Sequence, residues 1–217
     1  MAIDLDRGRA RPIGAEPAST DAASPLDPFM PAYDVAERHE IAVAAPADIT
    51  MAAARDMDIY RSPLVRAIFA IRTLPARLRG APSREPASLL SETLALGWRV
   101  LADQPGRAIV VGAVTQPWHA DVKFRGLAPD AFVAFAEPGY AKIAWTLEAI
   151  PLGPSTSRFR TETRVSTTDA RSHRLFRRYW AVFSPGILLI RRASLRLVKT
   201  EAERRYRWSG QPSVRDR

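Results

Sequence analysis

From residue 171 to residue 199 the chain runs RSHRLFRRYWAVFSPGILLIRRASLRLVK. Placed on a helical wheel at about 100° per residue, Phe176, Tyr179, Phe183, Ile187, Ile190, Ser194 and Leu197 fall on one face. Arg174, Arg177, Arg178, Arg192, Arg196 and Lys199 fall on the opposite face. No acidic residue stands between Asp169 and Glu201, and Thr168 or Asp169 offers an N-cap. Pro185-Gly186 interrupts the run, yet both faces keep their register across it. One long kinked helix is therefore predicted rather than two helices, although Pro185 removes a backbone hydrogen bond. Leu188 and Leu195 fall on the basic side, outside this scheme.

Such a helix needs a broad apolar partner, and the residues before it supply alternating patterns. From 140 to 150, Ile143, Trp145 and Leu147 share one face while Lys142, Thr146 and Glu148 share the other, which predicts a half-buried antiparallel strand. From 158 to 167, Phe159, Thr161, Thr163 and Val165 alternate with Arg158, Arg160, Glu162 and Arg164. The charged set is expected on an outer face as a cross-strand ladder of little energetic weight. With strand parity reversed, Glu162 would be buried and would demand a partner. Further strands are predicted over 37–44, 89–101, 107–114 and 131–137, with turns at Asp103-Gln104-Pro105-Gly106 and Pro138-Gly139. Between the first two of these strands the pattern turns helical. One short helix is expected over 48–57 and a second from Ser62-Pro63 to Leu78. Residues 1–32, rich in proline, alanine and serine, read as a disordered tail, residues 33–207 as one domain, and 208–217 as a second short tail.

Composition narrows the function classes. The chain has 217 residues, of which 47% are hydrophobic and 25% charged, enough for a substantial core. It contains no cysteine, which excludes disulfides and thiolate metal sites. No apolar leader or run of membrane-spanning length is present, so a cytoplasmic location is expected. The net charge is +9, carried mainly by arginine. Nucleophile elbows, phosphate-binding loops, dinucleotide fingerprints and zinc-protease motifs do not occur. His39, His119 and His173 are too scattered for a metal site, and neither metal nor cofactor is expected.

The element order of strand, two short helices, antiparallel strands and one long helix resembles the helix-grip fold of the START-like (SRPBCC) superfamily. This superfamily includes polyketide cyclases, the birch-pollen allergen family and lipid-transfer domains. The stretches HEIAVAAP (39–46), PGYAKIAW (138–145), TETRV (161–165) and FRRYW (176–180) are similar to a bacterial branch of it. The resemblance implies an α+β fold in which a curved antiparallel sheet wraps a long C-terminal helix. It also implies an apolar cavity between the two, most often without metal, but it does not imply a reaction.

Trp98, Trp145, Leu147, Phe159, Thr161, Thr163, Phe176, Tyr179, Trp180 and Phe183 are the candidate cavity wall. Buried Thr161 and Thr163 would need hydrogen-bond partners in a ligand, a water or the backbone. The first functional expectation is non-enzymatic binding or transport of an apolar small molecule such as a lipid, polyketide or isoprenoid. The second is a cyclase or aromatase, with His119 or Tyr140 moving a proton. The third is a peripheral protein that docks on an anionic membrane through Arg174, Arg177, Arg178, Arg192, Arg196 and Lys199. Nucleic acid is not expected as a partner, and the oligomeric state is not legible.

Overall fold

The computed structural model describes residues 23–58, 88–119 and 121–209. The elements are β1 (Val35–Val43), α1 (Ala47–Arg55), α2 (Leu89–Ala95), β2 (Arg99–Gln104), β3 (Ala108–Thr115), β4 (Phe124–Arg125), α3 (Pro129–Ala134), β5 (Ala141–Gly153), β6 (Thr156–Thr167) and α4 (Ala170–Ser209). The strands form one six-stranded antiparallel sheet in the order β1-β6-β5-β3-β2, with β4 paired to β3. The curved sheet and the long terminal helix make an α+β helix-grip fold. The helix expected over Ser62–Leu78 lies outside the described residues, as do residues 1–22 and 210–217.

α4 is a single helix of 40 residues that runs through Pro185. Asp169 is its cap. Oδ1 accepts from the backbone N–H of Arg171 (2.8 Å) and of Ser172 (2.9 Å), and Oδ2 accepts from the backbone N–H of Gly139 (2.6 Å). Those bonds hold the Asp169 carboxyl well below the usual carboxylate range, the one from Ser172 first. They also tie the helix start to the Pro138-Gly139 turn, where Gly139 takes the positive φ of 93° that glycine tolerates.

The first half of α4 packs Phe176 against Ala141 and Val165, with Tyr179 and Trp180 alongside. The second half buries Leu195, Val198 and Ala202 among Val43, Met51, Ala53 and Ala54. Leu195 is thus core rather than part of the basic side. α1 lies against this half of the helix and widens its buried sector beyond what a flat sheet alone would cover. Phe183, expected inward, is 42% exposed.

Two segments expected as strands are helical. Residues 89–95 form α2, whose start is fixed by Ser88: its Oγ accepts from the backbone N–H of Ser91 at 3.2 Å. Gly97, with φ of 98°, ends it. Residues 129–134 form α3, opened by Pro129 at its first turn and Asp130 beside it. α3 places Phe132, fully buried, on the outer face of the sheet. A Cβ on Gly112 would lie 2.6 Å from Leu101 Cδ1 and 3.1 Å from Phe132 Cε2, so the missing side chain on β3 makes room for both.

That outer face is not open to water, which corrects the expected surface ladder. Strand parity is as expected, with Phe159, Thr161 and Thr163 toward α4. Yet Arg160, Glu162 and Arg164 on the other side are also buried. Residues 24–30, expected in the tail, reach over Glu162 and Arg164, with Leu26 and Met30 packed on Val110, Val114 and Phe132. Glu162 accepts from Arg38 Nη2 (2.9 Å), Arg164 Nε (2.8 Å) and Ser24 Oγ (2.9 Å). Arg164 Nη1 donates to the Met30 carbonyl at 2.8 Å, and its Nη2 pairs with Asp27 at 2.7 Å. The fold therefore has three layers: α1 and α4, the sheet, and a strap of residues 24–33 with α3.

Candidate ligand-binding cavity

β5 and β6 are adjacent and antiparallel, with Trp145 opposite Thr163. Strand side chains alternate between faces, so Trp145, Leu147, Phe159, Thr161 and Thr163 all reach the side that α4 covers. α4 crosses this surface with Ile187, Ile190, Arg191, Ser194 and Leu195. Met57, Leu89, Thr93 and Trp98 close the end beside α1 and α2. The space between them, partly open to solvent, is about 340 Å³, within the ~300–1,000 Å³ typical of small-molecule sites.

Six of the ten expected wall residues are there: Trp98, Trp145, Leu147, Phe159, Thr161 and Thr163. The four aromatics of α4 are not. Phe176, Tyr179 and Trp180 lie nearer the helix start and stack on one another, with Phe176 and Trp180 ring centroids 5.7 Å apart. Phe183 leans on Tyr179 at 4.7 Å. A helix rises about 1.5 Å per residue, so Phe176 lies roughly 16 Å and Phe183 roughly 6 Å along the axis before Ile187, where the helix first borders the cavity. The wheel gives the face but not the position along it.

The wall hydroxyls are served by the protein itself. Thr161 Oγ1 donates to the Thr146 carbonyl (2.8 Å), Thr93 Oγ1 to the Leu89 carbonyl (2.7 Å) and Ser194 Oγ to the Ile190 carbonyl (2.9 Å). Thr163 Oγ1 accepts from Arg191 Nη2. Arg191 itself was absent from the expected wall. Its signal in the sequence is its place four residues after Ile187 and four before Leu195, inside the apolar stripe. Burial pulls its guanidinium down to about 10, and the Glu37 carboxylate only partly offsets this.

On β1, Glu37 stands opposite Thr163 and His39 opposite Thr161. His39 points inward as its parity predicts. Its Nε2 is 3.5 Å from Glu37 Oε2, beyond good hydrogen-bond length. Burial first, then the Arg191 charge, lowers the His39 pKa from its ordinary value, which keeps the ring neutral near pH 7.

The two nominated proton movers lie elsewhere. His119 is exposed beside Trp118, with ring centroids 6.4 Å apart. Tyr140 packs edge-on against Phe135 at 5.6 Å, in the outer layer with Leu26, Met30 and Phe132. Neither reaches the cavity. Among the described residues no group of three His, Asp or Glu side chains comes together to hold a metal ion, and no helix is long and apolar enough to cross a membrane. On the outer side of α4, Arg174, Arg177, Arg178, Arg192 and Arg196 are exposed, whereas Lys199 donates to the Ala42 carbonyl (2.8 Å) and pairs with Glu203 (2.6 Å).

No family model and no curated protein matches the chain. Among solved structures it is similar to the Zhui aromatase/cyclase from Streptomyces sp. R1128, at 17% identity over 82% of this chain and 99% of that one, TM-score 0.33. It is similar to a hypothetical protein from Helicobacter pylori, at 10% identity over 87% and 99%, TM-score 0.40. A START superfamily protein from Mycobacterium smegmatis is 10% identical over 80% and 98%, TM-score 0.29. At such identities and TM-scores each is a likeness only and carries no argument.

Proposed function

We propose that this protein binds an apolar small molecule of lipid, polyketide or isoprenoid type in the cavity between its sheet and α4, as a carrier or sensor. The observation that supports this most is the cavity itself: about 340 Å³ walled by Trp98, Trp145, Leu147, Phe159, Ile187 and Ile190. A partly open space of this size, lined mainly by aromatic and aliphatic side chains, suits an apolar guest. Enclosing on the order of 300 Å² of apolar ligand surface contributes about 7–8 kcal/mol, less the cost of immobilising the ligand. The cyclase alternative keeps the same cavity but loses His119 and Tyr140 as its acid or base.

The test is native mass spectrometry of the freshly purified protein, with solvent extraction of whatever is bound, and uptake of the neutral fluorophore N-phenyl-1-naphthylamine. A discrete apolar adduct or saturable uptake is expected. Ser194→Trp, which fills the space from α4, should abolish uptake while the protein still melts cooperatively. A clean apo mass with no uptake by the unaltered protein would sink the reading.

A second reading rests on a different surface. Val182 is 70% and Leu189 45% exposed, and helical spacing sets both beside the exposed arginines of α4. Apolar residues flanked by unpaired cations suit an anionic bilayer. Co-sedimentation with phosphatidylglycerol vesicles is expected at low salt, with steep loss by about 0.5 M salt as charges are screened. Equal binding to phosphatidylcholine vesicles, or none to either, would remove this reading.

A further inference from the structure

Arg191 sits where the helix otherwise presents Ile187, Ile190, Ser194 and Leu195 to the sheet. A guanidinium has five N–H donors and no acceptor. Here Nη2 donates to Thr163 Oγ1. Nη1 is covered and has no hydrogen-bond partner, so a ligand reaches it once the arm turns toward the cavity that Arg191 lines. Among the described residues no carboxylate lies within ion-pair distance of it. Glu37, on β1, is felt only through space. Arg191 is partly buried, and a cation withdrawn from water without a paired anion is unfavourable; the remaining wall hydroxyls are engaged with backbone carbonyls.

We propose that the cavity takes an amphiphile with a carboxylate head, which the free arm of Arg191 binds while the apolar wall encloses the tail. The proposal rests on the cavity-binding reading above and narrows it from apolar molecules in general to monoanionic ones. A carboxylate suits the site for three reasons. It is a single charge, matching Arg191, the one cation among the described residues that line the cavity. Its oxygen accepts a charge-assisted hydrogen bond from Nη1, about twice as strong as a neutral one. It also needs few donors, and few are present. A phosphate monoester would bring close to two negative charges beside Glu37 and would leave most of its oxygens unserved. The His39 ring, neutral and across the strand from Thr161, adds no second cation that would favour a dianion.

The experiment displaces N-phenyl-1-naphthylamine, a neutral probe, with n-decanoate, 1-decanol and decyl phosphate at pH 8. Decanoate should bind at least about tenfold more tightly than decanol, and decyl phosphate more weakly than decanoate. Arg191→Gln should bring the ratio of decanoate to decanol affinity down to about one. Arg191→Lys should retain part of the preference, because it keeps the charge and loses the fork. Arg191→Met, free of ligand, should melt no lower than the unaltered protein, because it removes a buried cation with an empty arm. Equal affinity for acid and alcohol, a preference that survives in Arg191→Gln, or tighter binding of the phosphate would overturn the proposal. So would a large loss of melting temperature in Arg191→Met, which would make Arg191 a structural anchor on Thr163. No naphthylamine uptake at all would instead fail the cavity reading itself.

Discussion

Glu162→Ala is expected to destabilise the folded protein by about 3–5 kcal/mol, the cost of removing one partner from a buried ion cluster. Glu162 is 3% exposed and accepts from Arg38, Arg164 and Ser24 at once. Alanine leaves Arg164, 4% exposed, with Asp27 as its carboxylate partner among the described residues. It also breaks the link between β6 and Ser24, so the strap of residues 24–33 should detach before the sheet opens. Urea unfolding measures the loss, and limited proteolysis before Tyr33 measures the release. Glu162→Gln keeps an acceptor but not the charge and should fall between. The pair Glu162→Met with Arg164→Met removes both ions and should cost far less than the sum of the single changes. A cost below about 1 kcal/mol for Glu162→Ala would mean that water reaches the cluster, and that the strap is not part of the fold.

The burial of that cluster shows where a single sequence stops being informative. Alternation over 158–167 assigned each residue to the correct face, because period two is a property of the strand alone. Whether a face is wet depends on what else packs there. The answer lies in Leu26 and Met30, two apolar residues in a proline-rich stretch without a period. The same holds for α4. Its helical period was legible from 171 to 199, including its passage through Pro185, because both faces persist. Arg191 and Leu195 were misplaced or passed over because the wheel was divided into two opposite faces, whereas sheet and α1 together occupy a wider sector. Short elements fared worst. With seven residues in α2 and six in α3, helix and strand periods are hard to separate. The deciding signals were local ones, the Ser88 cap and the first-turn Pro129. Of the nominated wall residues, those on β5 and β6 border the cavity and the aromatics of α4 lie to one side of it, since spacing along an axis needs the position of the partner.

Phe159→Ala should cost about 3–5 kcal/mol and change what the cavity admits. Phe159 is 1% exposed and packs in the cluster with Val43, Met51, Leu147 and Leu195, while its ring also bounds the cavity. On the sheet it stands between Ile41 of β1 and Ala149 of β5. Both neighbours hold β6 by backbone ladders, so the strand cannot move inward to fill the space left by the ring. A site that cannot collapse lies at the high end of the range for large-to-small changes. One argument pulls the other way: the part of the ring that faces the cavity already lacks packing partners, so its loss forfeits fewer dispersion contacts. The lower half of the range, about 3–4 kcal/mol, is therefore expected in urea unfolding. The binding readout separates wall from plain core. In the unaltered protein a ligand meets the ring, and in Phe159→Ala it meets a larger space, so bulkier naphthylamine derivatives should gain affinity relative to the parent probe. If stability falls as expected but the order of probe affinities stays the same, Phe159 belongs to the core beneath the cavity. Ligands would then lie closer to Trp98 and Trp145.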